Sequence, residues 1–185
     1  MFTQRLEFSL AHTCNAPCRD NIVKKMRLAI LSDVHSNIFA LQAVIDALSR
    51  MQIDCVMCLG DIVGYCAHPN ECIDIIRKKC HIVVAGNHDL EVTGQTRPLH
   101  MGVAARQIIE WTRNHLTPEM LSYLKSLPTI VIREQQWVAV HGCYLNSDHY
   151  WGYVTQVMIE PNLLAIEENH LWPKIAFCGH THQPL

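Results

Sequence analysis

The sequence predicts one α/β domain over residues 26–185, preceded by an extension over residues 1–25. Short apolar runs alternate with amphipathic segments from Met26 onward, and the runs end in small polar clusters. The 185 residues are enough to bury a core, and a charged fraction of 17% argues against overall disorder. Residues 1–25 show neither helical nor strand periodicity, so we interpret them as a disordered extension or a mis-assigned start.

The sequence of the first half of the domain predicts the element order βαβαβ. The predicted strands are residues 27–31, 55–59 and 81–85. Each is a short apolar run stopped by Ser-Asp, Gly-Asp or Gly-Asn. Between them, apolar residues recur at helical spacing over 38–48, and Pro69 begins a second helix that runs through Ile76. This alternation is typical of parallel strands joined by helical crossovers.

The second half predicts three more helices and three more strands. The predicted helices are residues 103–115, 118–127 and 161–169, and the predicted strands are 129–132, 137–140 and 175–178. Thr117 before Pro118 is the pattern of an N-cap followed by proline at the first helical position. Glu134-Gln135 is the turn of a predicted hairpin.

Five predicted strands end in side chains that bind metals or transfer protons. In chain order these are Asp33 and His35; Asp61; Asn87, His88 and Asp89; His141; and His180 and His182. A single Asp or His in such a place is more often a turn former, a helix cap or a packing residue. Loops at the carboxyl ends of strands converge in open α/β sheets. Five strand ends with the same chemistry therefore predict one common site.

The donor types at these strand ends indicate a class of metal. Carboxylate, imidazole and amide oxygen suit divalent Mn, Fe, Zn or Co, whereas a thiolate cage would indicate structural zinc. Paired ions that act on a phosphoryl group lie ~3.5–4 Å apart and need a shared carboxylate. Asp61 is the natural bridge between two such ions.

The strand-end motifs resemble those of a known family. They are Asp33-Val34-His35, Gly60-Asp61-Ile62-Val63-Gly64-Tyr65, Gly86-Asn87-His88-Asp89, His141-Gly142 and Gly179-His180-Thr181-His182. In this order they resemble the five motifs of calcineurin-like metallophosphoesterases, in the small bacterial and archaeal branch. The resemblance implies a four-layer α-β-β-α sandwich of two mixed β-sheets. Because relatives usually continue past the last motif, we expect a C-terminally truncated domain whose second sheet is incomplete.

The resemblance also implies a ligand set for two divalent ions, with manganese favoured over iron, zinc or cobalt. By this resemblance Asp33, His35 and His182 would hold one ion, Asn87, His141 and His180 the other, and Asp61 would bridge them. The implied reaction is in-line attack of a metal-bridging hydroxide on a phosphate ester, either a monoester or a diester.

Three more roles are expected beside the metals. His88 and Asn87 would act on the substrate, His88 as general acid or as a donor to phosphoryl oxygens, and Asp89 would orient His88 or cap a turn. Tyr65 is expected to bind substrate. Other candidates for the pocket are His68, Cys143, Tyr150 and Trp151, and Asn37 is a candidate helix cap or a neighbour of the ligands. Gly64 and Tyr65 stand where the protein phosphatase branch has Asp and Arg, which disfavours that activity.

Composition restricts the partners and the compartment. A net charge of -2 disfavours nucleic acid and anionic lipid as partners, so we expect a phosphate-ester substrate. No apolar run approaches the ~20 residues of a membrane span, and the N-terminal segment lacks the apolar stretch of a signal peptide. Nine cysteines, an odd number in a chain too long to need a disulfide framework, indicate reduced thiols in a cytoplasmic protein.

Two alternative hypotheses remain at this point. The same fold serves some relatives as a protein-interaction scaffold, but such scaffolds tend to lose ligands that this sequence keeps. The second alternative is an inactive truncated fragment. An open edge of the second sheet would also be a template for a homo-oligomer.

Overall fold

The computed structural model describes residues 26–97, 101–145, 148–169, 171 and 173–183. Residues 1–25, for which the sequence predicts an extension, lie outside the described residues. No helix in the described part of the chain is long and apolar enough to cross a membrane.

The first sheet contains β1 (Leu28–Leu31), β2 (Cys55–Cys58) and β3 (Ile82–Val83), in that order. β2 runs parallel to both of its neighbours. Helix α1 (Ile38–Ser49) connects β1 to β2, and α2 (Pro69–Lys79) connects β2 to β3. The predicted βαβ crossovers are therefore confirmed. The described strands of this sheet are all parallel, so only the second sheet is mixed.

Three helices follow β3: α3 (Asn87–Thr93), α4 (Val103–His115) and α5 (Pro118–Lys125). The side-chain Oγ1 of Thr117 accepts a hydrogen bond from the Met120 amide at 3.3 Å, as the side chain of an N-cap residue does. The sequence did not predict α3. Residues 87–92 are all buried, so no alternation of polar and apolar faces marks this helix.

The second sheet contains β4 (Ile130–Arg133), β5 (Trp137–Val140) and β6 (Ile175–Phe177), in that order. β4 and β5 form the predicted antiparallel hairpin, whereas β6 runs parallel to β5. A short 3-10 turn and α6 (Ile159–Glu168) lie between β5 and β6 in the chain. In the described part of the sheet β6 is an edge strand.

Three apolar cores separate four layers. Cys58, Ile73, Ile76 and Leu124 belong to the core between the first helices and the first sheet. Met57, Leu59, Val84, Trp137 and Ala139 fill the space between the sheets. Val138, Val140, Ala165 and Ile166 pack between the second sheet and α6. Along β5 the side chains alternate between the last two cores, as the period of two in a strand requires. The predicted α-β-β-α sandwich is confirmed.

Candidate metal centre

The candidate site lies where β1, β2, β3, β5 and β6 end. Backbone hydrogen bonds join the loops after these strands: the Asp33 amide donates to the Gly60 carbonyl at 3.0 Å, and the Gly179 amide to the His141 carbonyl at 2.8 Å. The His180 amide donates to Asp33 Oδ2 at 3.1 Å and so connects the ends of the two sheets. Residues 147 positions apart in the chain therefore meet at one edge of the fold.

Two groups of side chains at this edge have their ligand atoms within 4.8 Å of one another. The first is Asp33, His35 and His182, and the second is Asp61, His141 and His180. Asn87, the first residue of α3, lines the same cleft and is buried. The structure thus brings together all seven side chains for which the sequence predicts metal binding.

Asp61 belongs to the second group and also lies beside His35 of the first; His35, Asp61 and His88 form a third group of ligand atoms. The Oδ2 atom of Asp61 is 3.8 Å from His35 Nε2 on one side and 3.3 Å from His141 Nε2 on the other. Its Oδ1 atom accepts a hydrogen bond from the His88 amide at 2.9 Å, which fixes the carboxylate in place. This is the position that a carboxylate shared by two cations requires.

Backbone carbonyls orient two of the imidazoles toward the cleft. His35 Nδ1 lies 3.2 Å from the Val63 carbonyl, and His141 Nδ1 lies 2.6 Å from the Leu59 carbonyl. Each Nδ1–H donates to its carbonyl in this arrangement, so each Nε2 faces the cleft. His35 Nε2 is 3.2 Å from His182 Nε2, and His141 Nε2 is 3.2 Å from His180 Nδ1. Two nitrogens that bind one cation at ~2.0–2.1 Å come about this close together.

Several buried polar atoms at the site have no hydrogen-bond partner. They are Asp33 Oδ1, Asn87 Oδ1, His88 Nδ1 and His180 Nε2. Such atoms are rare in a folded interior and call for a ligand, an ion or water. Asp33 Oδ1 lies 3.2 Å from His182 Nε2, so this oxygen and nitrogen converge on the same space. The donor set and its unpartnered oxygens therefore fit divalent cations.

Burial and neighbouring charges shift the pKa values of these groups in different directions. Burial would raise the pKa of the Asp61 carboxyl, but the neighbouring imidazoles, His141 above all, outweigh it and hold that pKa well below its usual range. Burial would lower the pKa of His141, but the Asp61 carboxylate outweighs it and raises that pKa. Burial lowers the pKa of His88 and of His180 to about 4. Near neutral pH, His88 and His180 are therefore uncharged and keep a ring lone pair.

The backbone of the ligand loops is strained. Asp33, His35, Asp61, His180 and His182 all have φ between 50° and 68°. Non-glycine residues in this left-handed region are uncommon, and they persist where surrounding contacts hold them. Strain at these particular residues is typical of a functional site.

A family model described as "Calcineurin-like phosphoesterase superfamily domain" matches residues 26–185. The chain belongs to this superfamily.

Relatives of known sequence or structure agree with this membership. An uncharacterized protein of Methanocaldococcus jannaschii is 34% identical over 166 residues, which are 89% of this chain and 65% of that protein. The crystal structure of a metallophosphoesterase from Sphaerobacter thermophilus is 38% identical with a TM-score of 0.71, and the match covers 86% of this chain and 62% of that one. This chain thus spans slightly under two thirds of the length of both relatives.

A third relative shows the fold alone. The structure of a hypothetical protein from Pyrococcus horikoshii OT3 has a TM-score of 0.71 at 20% identity, and the match covers 86% of this chain and 71% of that one. The layered architecture is therefore kept where most of the sequence has changed.

In this calcineurin-like domain the Asp89 carboxylate accepts hydrogen bonds from backbone amides and does not orient the His88 ring. Asp89 Oδ1 accepts hydrogen bonds from the Ile62 and Val63 amides at 3.0 and 3.2 Å, and Oδ2 accepts one from the Gly86 amide at 2.9 Å. The side chain is fully buried and does not line the cleft. The prediction that Asp89 is catalytic is therefore corrected: it caps α3, which was the alternative, and fastens α3 to the loop after β2.

A cleft of about 330 Å³ opens above the metal-capable groups of the calcineurin-like domain. His88 and Tyr65 line it, as predicted, and so does Trp151. Sequence reasoning missed Tyr153, whose ring stacks on His180 with centroids 4.4 Å apart and planes 8° apart. It also missed Met101, Gly102, Ala105 and Thr181 in the cleft wall. The only signal for Tyr153 was its place two residues after Trp151, in the same loop.

Other expected pocket residues lie elsewhere. Tyr150, His68 and Cys143 are not part of the described cleft wall. His68 precedes α2, with its Nδ1 3.7 Å from the Glu71 carboxylate, and Cys143 is buried. Asn37 Oδ1 accepts a hydrogen bond from the Ala40 amide at 3.1 Å, so this residue is the N-cap of α1.

Proposed function

We propose that this domain hydrolyses phosphate esters with two divalent cations bound at the strand-end cluster. The observation that carries the proposal is the position of Asp61 Oδ2, 3.8 and 3.3 Å from imidazole nitrogens of two separate groups. Membership in the calcineurin-like superfamily supports the same chemistry.

The distances support one assignment of ligands. Asp33, His35 and His182 form one three-residue group, and they would hold the first cation. His141 and His180, with the unpartnered Asn87 Oδ1, would hold the second. Asp61 would be shared. When bound, two divalent cations supply a nucleophilic water at neutral pH and neutralise charge on the phosphoryl oxygens.

The protein's own side chains supply the remaining parts of the reaction. His88 lines the cleft beside Tyr65, with ring centroids 4.7 Å apart, and in its uncharged form donates a hydrogen bond to a phosphoryl or leaving oxygen. The Gly60–Asp61 and Gly86–Asn87 loops, fastened by Asp89, keep the ligands in register before substrate arrives. The water oxygen forms a bond to phosphorus, the P–O bond to the ester oxygen breaks, and a proton from the water ends on the leaving oxygen.

The native metal and the compartment are finer parts of the proposal. The oxygen and nitrogen donors support Mn, Fe, Zn or Co, and we place manganese first. The cysteines of the described residues are all free thiols, which supports a cytoplasmic protein.

The test is turnover of p-nitrophenyl phosphate and bis-p-nitrophenyl phosphate by protein stripped of metal and then given Mn²⁺. We expect metal-restored turnover that falls at least ~100-fold in Asp61→Asn and in His88→Ala. Matched controls are Asp46→Asn and His115→Ala, which change the same residue types at exposed positions on α1 and α4. Turnover that survives Asp61→Asn would contradict the shared carboxylate. A folded, metal-loaded protein that turns over neither ester would instead support the interaction scaffold.

A further inference from the structure

Aromatic rings flank the metal-capable groups on two sides of the cleft. Tyr153 stacks on His180, whereas Tyr65 contacts His35 and His88 with centroids 4.6 and 4.7 Å apart. Tyr153 and Tyr65 are 58% and 53% exposed, so their rings are not occupied by core packing. Trp151, 5.2 Å from the His180 ring, extends the wall on the Tyr153 side.

The described residues of the cleft wall offer aromatic and apolar surface but no lysine or arginine. Met101 and Ala105 supply part of the apolar surface. The undescribed residues after residue 26, which are 98–100, 146–147, 170, 172 and 184–185, include neither Lys nor Arg. A substituent that carries further phosphates would therefore find no cationic side chain from this part of the chain. An uncharged, flat substituent would find rings to stack on.

The two rings touch imidazoles of different groups: Tyr65 contacts His35 and His88, and Tyr153 contacts His180. Because Asp61 is near both groups, a phosphorus atom beside it would have one ring near each group. An ester group on either side would then meet an aromatic surface, and a phosphodiester has two such groups. A phosphomonoester would leave one wall without a contact.

We propose that the preferred substrate is a phosphodiester whose two ester groups both carry an uncharged planar aromatic ring, one of which stacks on Tyr153 and the other on Tyr65. The inference rests on the proposed phosphoester hydrolysis and adds the substrate class. Water attacks phosphorus, the P–O bond to one substituent breaks, and that substituent leaves as an alcohol or phenol. The other substituent remains in a phosphomonoester product.

The experiment compares four substrates that all release p-nitrophenolate, so that one absorbance reading serves for each. They are p-nitrophenyl phenyl phosphate, p-nitrophenyl methyl phosphate, thymidine 5′-(p-nitrophenyl phosphate) and the monoester p-nitrophenyl phosphate. The full chain is loaded with Mn²⁺. We expect kcat/KM for the phenyl diester to exceed that for the methyl diester by roughly tenfold, the order of one aromatic stacking contact, and that for the monoester to be lowest.

Variants test the two rings separately. Tyr153→Leu and Tyr65→Leu should reduce the ratio of phenyl to methyl kcat/KM, mainly through KM, whereas Tyr153→Phe should keep it because the ring remains. Phe39→Leu is the matched control, because Phe39 is 78% exposed on α1 and lies outside the described cleft wall. Its ratio should equal that of the unchanged protein.

The outcomes separate the two proposals. Metal-dependent turnover with equal rates for phenyl and methyl diesters, or with a faster monoester, would overturn the substrate class and leave phosphoester hydrolysis standing. No turnover of any substrate by metal-loaded protein would overturn both. A thymidine diester faster than the phenyl diester indicates a nucleobase as the natural substituent, and a slower one indicates a simpler aryl group. Both of these results support the inference.

Discussion

Asp89 Oδ1 accepts a hydrogen bond from the Val63 amide, which joins α3 to the loop after β2. The carbonyl of Val63 faces His35 Nδ1, so the buried carboxylate is connected to a metal-capable imidazole through the backbone of one residue, Val63. Asp89→Asn would place an amide N–H against backbone N–H donors. We expect it to lower the free energy of unfolding by about 2–4 kcal/mol, measured by denaturant titration.

The control for Asp89 is Asp46→Asn, whose carboxylate is exposed and bonds only a glutamine side chain, Gln42, in the described contacts. It should change stability by well under ~1 kcal/mol. If Asp89→Asn kept normal stability and lost only turnover, a direct catalytic role for Asp89 would return.

Gly86 approaches Asp61 so closely that no side chain fits between them. A Cβ at Gly86 would lie closer to Asp61 Oδ1 than any normal contact, and also too close to the Asp61 backbone nitrogen. We expect Gly86→Ala to displace the Asp61 carboxylate and weaken Mn²⁺ binding at least ~10-fold in calorimetric titration. Gly102→Ala is the control, since nothing lies within 4 Å of its added Cβ. Equal affinities in the two variants would contradict the role of this close approach.

Glu91 is a buried carboxyl near the site that has no ionic partner in the described contacts. It is 2% exposed, its Oε2 has no hydrogen bond, and Arg113 donates to its backbone carbonyl rather than to its carboxylate. Burial, with the charge of Asp61, raises the pKa of Glu91 to about 7. The folded pKa lies above the unfolded value, so stability falls as pH rises from about 4.5 to about 7 and stays lower above that range.

Glu91→Gln should remove the loss of folding stability that occurs as pH rises. In metal-free protein the variant should gain up to about 3 kcal/mol relative to the unchanged protein at pH 8, and much less at pH 5. Thermal melts at the two pH values measure the difference, with Glu110→Gln on the exposed face of α4 as control. A gain that is equal at both pH values would show that charge at Glu91 is not its cause.

Removing the metals should lower the thermal stability of the protein. Asp33 Oδ1 and Asn87 Oδ1 have no hydrogen-bond partner, and a bound cation would supply one. A cation at 100 times its Kd adds about 2.7 kcal/mol, so Mn²⁺ added to EDTA-treated protein should raise Tm by roughly 5–10 °C. Asp61→Asn should remove most of this increase, whereas Mg²⁺ in place of Mn²⁺ should give a smaller one. A Tm that does not respond to Mn²⁺ would contradict the metal centre.

Much of the fold follows from local patterns. The strands are short apolar runs ended by Gly or Asp, and the helix bounds 103–115 agree with the structure. The site residues could be grouped because each follows a strand, and parallel strands place their carboxyl ends at one edge.

Sequence patterns do not predict features that depend on contacts between residues far apart in the chain. Helix α3 is buried on all sides, so its sequence lacks the periodicity of a surface helix. The partners of Asp89 are backbone amides, which any sequence offers, and no residue type identifies them. Tyr153 reaches the cleft because its loop folds over His180, a path that no spacing in the sequence encodes.

The contact between Asp33 and the His180 amide spans 147 positions of the chain, and it has a kinetic consequence. Because His180 and His182 join the other ligands only when so large a loop closes, we expect the full ligand set to form late in folding, after both sheets have stacked. Contacts absent from the transition state act on the unfolding rate, so a loaded protein should differ from the metal-free one chiefly by a longer native lifetime.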